Sequence, residues 1–324
     1  MVTKDELKIL QGLSLDLKIA KSKNRIQEWY NHFGGQVYVS FSGGKDSTVL
    51  KHLVENTVGA VPSVFCDTGL EYPELKNFVE NQSNVEIIKP KMKFNQVIKE
   101  YGYPVVSKSI ANTIRLAKLE PYDSYRNKQL RGEISLPNGQ KSFFDYSKWT
   151  YLLNAPFEIS EQRCNIMKKK PFKEYERSTQ RKPFIGIMAI ESLNRKNAYL
   201  KTGCNAFTSS KQQSTPIAFW TEQDILQYIL EFKLEYPSVY GEIKDKNGKY
   251  YTTGVKRTGC MFCMFGLTKE KEPNRFQQME CSHPNIYNYC MKSAEKGGLG
   301  IADVLDYINS SPNPKFKKIN YKNK

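Results

Sequence analysis

The chain has 324 residues, 39% hydrophobic and 25% charged, which excludes global disorder and predicts a main domain with one appendage. With 49 basic against 33 acidic residues the net charge is +16; this favours an anionic partner, although a solvated lysine surface accounts for it equally well. No run approaches the roughly 18 apolar residues of a membrane span, and the opening Met1-Val2-Thr3-Lys4-Asp5-Glu6 has no apolar stretch with a cleavage site, so a cytoplasmic, reducing setting is expected.

In chain order, residues 4–33 read as helical, with Leu7, Leu10, Leu17, Ile26 and Trp29 set among lysines. The β-branched and aromatic run Val37-Tyr38-Val39-Ser40-Phe41 reads as a buried strand. It breaks at Ser42-Gly43-Gly44 and passes into a helix from Asp46 to about Asn56. A second strand at 61–66 stops at Asp67-Thr68-Gly69, and Pro73 suits the first turn of the next helix. A strand at 85–88, a helix at 94–101 and a further strand at 183–188 continue the pattern. Residues 120–160, with Tyr122, Tyr125, Phe143, Phe144 and Trp149, read as an insertion. A helix at 222–232, capped by Thr221, closes the alternation. Strand and helix alternating at this spacing predict an α/β fold with a doubly wound parallel sheet and a cysteine-bearing C-terminal region. The expected divisions are a helical segment at 1–35, a nucleotide-binding domain at 36–232 and the cysteine region at 233–324.

Ser42-Gly43-Gly44-Lys45-Asp46-Ser47, between a strand and a helix, has the chemistry of a phosphate loop. Its glycines bring N–H groups against an anion, the helix N-terminus adds its positive end, and Lys45 adds a charge. It is not a Walker A loop, because Asp46 stands where that motif needs Ser or Thr. Ser-Gly-Gly-Lys-Asp-Ser instead resembles the PP-loop of the ATP pyrophosphatase (adenine nucleotide alpha hydrolase) superfamily. Three further segments resemble phosphoadenosine phosphosulfate (PAPS) reductases within it: Cys66-Asp67-Thr68-Gly69-Leu70-Glu71-Tyr72-Pro73-Glu74, Gly186-Ile187-Met188-Ala189-Ile190-Glu191-Ser192-Leu193-Asn194-Arg195, and Thr215-Pro216-Ile217 with Trp220-Thr221-Glu222-Gln223-Asp224. Met188 stands where that family's pattern has arginine.

The resemblance implies ATP, or a PAPS-like nucleotide, with its phosphates on Ser42, Gly43, Gly44, Lys45, Asp46 and Ser47. It places Asp67, Thr68 and Gly69 near the adenosine, and Glu191, Ser192 and Arg195 on the opposite side. Lys45, Asp46 and Arg195 are the expected catalytic residues, with Mg2+ stabilising charge on the phosphates. Two plainer readings stay open: Asp67 as a helix-capping residue and Glu191 as a surface carboxylate.

Cys260 and Cys263 form a C-x2-C pair in Arg257-Thr258-Gly259-Cys260-Met261-Phe262-Cys263, which is similar to a subgroup of PAPS-reductase-like proteins. Seven cysteines in a reduced chain point to metal or redox chemistry sooner than to disulfides. Cys164 precedes the Lys168-Lys169-Lys170 run, where iron–sulfur relatives carry Cys-Cys; here Arg163 replaces the first cysteine. The expected centre is a 4Fe–4S cluster on Cys164, Cys260, Cys263 and Cys204, with Cys281 as second choice for the fourth ligand. The alternatives are zinc on Cys260, Cys263, Cys281 and His283, or ordinary buried cysteines.

Three functions are consistent with these residues. The first is ATP-dependent adenylylation with pyrophosphate release, coupled to sulfur transfer onto an acceptor such as tRNA or DNA, with a sulfur-donor protein as partner. The second is a PAPS or adenosine phosphosulfate reductase releasing sulfite; residues 291–324 hold no cysteine, which disfavours the thioredoxin-dependent form. The third is a non-catalytic nucleotide- or nucleic-acid-binding protein. The insertion aromatics and the basic tail (Lys315, Lys317, Lys318, Lys322, Lys324) suit a single strand, or simply a solvated face.

Overall fold

The computed structural model describes residues 2–136, 138–140, 142, 144–314 and 316–323. Phe143, Lys315 and Lys324, counted above among the nucleic-acid-binding side chains, lie outside the described residues. The chain divides into two compact units, each discontinuous: Met1–Pro90 with Lys170–Thr258, and Lys91–Lys169 with Gly259–Lys324. These boundaries differ from those expected at 35 and 232. The chain leaves the first unit after its third strand and comes back to complete the same sheet, which a linear reading of composition cannot register.

The first unit opens on α1 (Lys4–Gln11), whose Thr3 and Glu6 form a capping box, and α2 (Leu15–His32). The single helix expected over 4–33 is two, because Gly12 ends the first and Ser14 begins the second. There follow β1 (Val37–Ser40), α3 (Lys45–Val58), β2 (Ser63–Cys66), α4 (Pro73–Glu80, with Pro73 in its first turn) and β3 (Val85–Ile88). The second unit takes α5 (Phe94–Tyr101), α6 (Lys108–Ala117) and α7 (Tyr125–Arg131). The first resumes with α8 (Lys170–Thr179), β4 (Lys182–Ile185), α9 (Leu193–Thr202), α10 (Glu222–Glu231) and a hairpin of β5 (Ile243–Lys246) and β6 (Lys249–Thr252). Helices α11 (Arg275–Ser282), α12 (Pro284–Met291) and α13 (Ile301–Asn309) complete the second unit.

The sheet of the first unit is parallel throughout, in the order β3-β2-β1-β4. Strand order therefore reverses between β1 and β4, and in open α/β sheets ligands bind beyond the carboxyl ends of the strands at such a point. Ile26, Trp29, Val37, Val39, Val49, Leu50, Phe184 and Trp220 are wholly buried in this unit. Trp220 also keeps its indole N–H satisfied, donating to the Ser22 hydroxyl at 2.9 Å. In the second unit, Gly102 lies so close to Glu158 that a Cβ would fall 2.3 Å from its carbonyl carbon, and Tyr103 donates to the Leu299 carbonyl at 2.8 Å. No helix among the described residues is long and apolar enough to cross a membrane.

Candidate functional site

After β1 the chain turns through Ser42-Gly43-Gly44 into α3. Gly43 has φ +73° and a Cβ there would lie 2.5 Å from Val79 and 2.8 Å from Leu75 of α4, so both backbone angle and packing demand glycine. Gly44 caps α3 without a side chain, leaving the first-turn N–H groups of the helix for other acceptors. The Ser42 and Ser47 hydroxyls lie 3.0 Å apart, and Ser47 donates to the Gly44 carbonyl at 2.9 Å, tying the turn shut. Gly186, just past β4, backs onto the same point: a Cβ there would sit 3.2 Å from the Asp46 carbonyl. The loop and the segment after β4 thus meet at the place where strand order reverses.

Lys45, expected to face the phosphates, is 5% exposed and already held. Its ammonium donates to Glu222 at 2.6 Å and to the Lys256 carbonyl at 3.4 Å, over the Tyr240 ring. The cations left at the site are two guanidiniums. Glu191, in a 3-10 turn at Ala189–Glu191, accepts the Met188 N–H at 2.9 Å and pairs with Arg195 of α9 and, at 3.2 Å, with Arg257. Its side chain is only 8% exposed, so the surface-carboxylate reading gives way to a buried counter-ion for two arginines. Burial first, then the neighbouring Arg257, pulls Arg195 down from its ordinary value. Asp46 faces the same charges: burial pushes its carboxyl up, Lys45, Arg257 and Arg195 oppose this, and its buried Oδ1 has no hydrogen-bond partner.

The remaining expected residues do local work. Ser192 caps α9, accepting the Arg195 N–H at 3.3 Å. Asp67 accepts the Gly69 N–H at 3.1 Å within the turn and meets Lys76 of α4 at 3.1 Å; the N-cap of α4 is Tyr72, so Asp67 does not cap that helix. Thr68 bonds Glu71 through both its N–H and its hydroxyl. Sequence reasoning missed Glu222, Tyr240, Arg257 and Thr258 as neighbours of the loop. The Tyr240 and Thr258 hydroxyls lie 2.8 Å apart, and a Cβ on Gly44 would come within 3.0 Å of the Tyr240 hydroxyl. Asn247-Gly248, both at positive φ, was the available signal: it is the hairpin turn that sends the chain back toward the loop after β6.

A family profile described as the phosphoadenosine phosphosulfate reductase domain matches residues 36–265, well over half of the chain. The chain belongs to this family. Among curated proteins it is 26% identical over 291 residues to one uncharacterized protein of Methanocaldococcus jannaschii, covering 85% of this chain, and 23% identical over 293 residues to another, covering 88%. The chain spans about half the length of these relatives, 45% of the first and 54% of the second. Among solved structures it is similar to a PAPS reductase from Candida auris in complex with phosphate, at 14% identity over 77% of this chain and 98% of that one, with a TM-score of 0.39.

In this family member the cysteines are divided. Cys204 belongs to the first unit, where burial pushes its thiol up to about 12. Cys164, Cys260 and Cys263 belong to the second and gather on Arg163. That guanidinium is 4% exposed; it donates to Cys263 at 3.2 Å and to Cys164 at 3.4 Å, while its Nε has no hydrogen-bond partner. The C-x2-C turn is held from behind, with Cys263 N–H on the Cys260 carbonyl at 3.2 Å and Arg275 on the Cys263 carbonyl at 2.8 Å. Three thiols supply three of the four ligands of a cubane, and the group at their centre is a cation. Among the described residues no set of three or more His, Cys, Asp or Glu side chains is placed to hold a metal ion. The donors as they stand do not fit a 4Fe–4S cluster or a tetrahedral zinc. Magnesium is a different case, because it takes one or two carboxylates plus the phosphates of its nucleotide, and Asp46 with its open Oδ1 fits that demand. Bound there, it would offset charge on the phosphates.

Proposed function

We propose that the first unit binds an adenine nucleotide at the phosphate loop and uses it to adenylylate an acceptor, with release of pyrophosphate, ahead of sulfur transfer. The observation that carries this reading is the joint placement of a glycine turn, the uncapped start of α3, and the Arg195 and Arg257 guanidiniums on one buried carboxylate. Such an array suits a ligand with several negative charges. The acceptor oxygen attacks the α-phosphorus, the bond to the bridging oxygen breaks, and pyrophosphate leaves; hydrosulfide, or a sulfur carrier delivering its equivalent, then displaces AMP. An acceptor of nucleic acid, tRNA or DNA, is in keeping with the charge of +16.

The family supports a second reading, reduction of a phosphosulfate to sulfite, since its domain is described by that activity. Incubation of anaerobically purified protein with ATP and, separately, with PAPS decides between them. AMP and pyrophosphate formed from ATP in the presence of an acceptor are expected. Sulfite from PAPS with no pyrophosphate from ATP would replace the first reading by the second.

A further inference from the structure

Arg257 opens the segment that carries the C-x2-C pair and is not among the residues expected at the nucleotide site, yet the fold brings it there. Strands β5 and β6 turn the chain back, Gly254 N–H bonds the Tyr240 carbonyl at 2.8 Å, and Val255 N–H bonds the Val239 carbonyl at 3.1 Å. The Thr258 hydroxyl meets that of Tyr240, and the Lys256 carbonyl accepts from Lys45. Residues 254–258 are thereby stitched along the phosphate loop, and Arg257 is the cation they present.

Its partnership is incomplete in a way that points to a ligand. One carboxylate, Glu191, serves two guanidiniums, so the trio carries a net positive charge before anything binds. The Glu191 side chain is 8% exposed and that of Arg257 is 67% exposed, so Arg257 is anchored at its Glu191 side and open to water elsewhere. A guanidinium has five N–H donors in a fixed fork, and a single contact of 3.2 Å to one carboxylate oxygen leaves most of the fork for an anion. Lys45 cannot do this work while it is bound to Glu222 and the Lys256 carbonyl.

We propose that Arg257 binds the anionic group beyond the α-phosphate of the nucleotide and so sets the preference for a pyrophosphate or phosphosulfate over a plain monophosphate. Glu191 holds Arg257 and Arg195 in place in the absence of ligand and keeps them from repelling each other.

The inference rests on the nucleotide reading above, and the test separates the two. Calorimetric affinities for ATP, adenosine phosphosulfate and AMP are compared in wild type, Arg257→Gln and Arg257→Lys. Wild type is expected to bind ATP or the phosphosulfate more tightly than AMP. Arg257→Gln should lose about tenfold for that ligand and almost nothing for AMP, as removal of one charge-assisted contact implies. Arg257→Lys should recover only part, a point charge replacing a fork. Equal melting temperatures without nucleotide verify that Arg257→Gln is folded, as the exposure of the side chain predicts. If wild type binds none of the three, the nucleotide reading falls. If wild type binds and Arg257→Gln keeps the same ratio between ATP or phosphosulfate and AMP, only the assignment of Arg257 falls. Loss of affinity for ATP alone, or for the phosphosulfate alone, says which of the two groups Arg257 meets.

Discussion

Asp46 shows how far a single residue can depart from its motif. The sequence places it in the phosphate loop; only the fold buries it beside three cations with one oxygen unpartnered. Its ordinary pKa of 3.8 is raised, mainly by burial. A raised carboxyl pKa means that the native state holds the proton more tightly, so the stability this group contributes is full below 3.8 and is lost as pH rises through the lifted value. Asp46→Asn has no charge to bury and should be the more stable protein at pH 8, each tenfold change in proton affinity being worth about 1.4 kcal/mol. The two should converge below about pH 4. Urea midpoints at both pH values check this, and a wild type more stable at pH 8 would mean that the carboxylate is well paired. Arg163 invites a second test. It stands where related iron–sulfur proteins are expected to carry cysteine, and it occupies the centre of three thiols. After anaerobic reconstitution, Arg163→Cys should hold more iron and acid-labile sulfide than wild type, since it adds a fourth thiolate and removes a cation. Equal contents in the two proteins would show that the guanidinium does not bar the site.

Among the elements, α10 is the one whose start carries most. Thr221 and Asp224 form its capping box, and Asp224 also receives the Lys18 ammonium of α2 at 2.7 Å, both side chains being 10% exposed or less. Glu222, in the same first turn, binds Lys45. The sequence shows the cap as Thr-Glu-Gln-Asp but not the distant lysine, 206 residues away. Asp224→Ala should therefore cost far more than a lost cap. It leaves Lys18 buried with only the Gln11 carbonyl, at 2.8 Å, and is expected to destabilise by about 3–5 kcal/mol. Thr221→Ala should cost about 1 kcal/mol. Chemical denaturation measures both, and a Lys18→Met/Asp224→Leu double variant should recover most of the larger loss. Similar losses for the two single variants would show that the ion pair adds nothing beyond the cap. The boundary between α1 and α2 is hidden in sequence, because 4–33 has one amphipathic texture throughout and the break at Gly12-Leu13-Ser14 is marked only by a C-terminal glycine followed by an N-cap serine.

At the scale of the whole molecule, the decisive feature is that neither unit is continuous in sequence. The segment 91–169, expected to fall partly in the nucleotide-binding domain and partly in an insertion, forms the second unit together with 259–324. Residues 233–258, expected in the cysteine region, belong to the first unit instead and bring Tyr240, Arg257 and Thr258 to the loop after β1. The four cysteines expected to share one cluster fall three to one between the units for the same reason.

What the sequence determined by itself was local. Six residues between a β-branched run and a helical run specify the phosphate loop, because glycine is the only residue that tolerates the φ of Gly43 and the crowding by α4. Alternating strands and helices likewise specify the parallel sheet, since parallel strands need crossovers. The tertiary structure decided which charges meet. Coulombic and hydrogen-bond partners depend on distance in space, and Lys45 with Glu222, Glu191 with Arg257, and Arg163 with Cys263 are separated by 177 residues, by two helices and a hairpin, and by 100 residues respectively. No periodicity in the chain records such pairings; they exist only once β4 has returned to lie beside β1 and the segment after β6 has folded back along the loop.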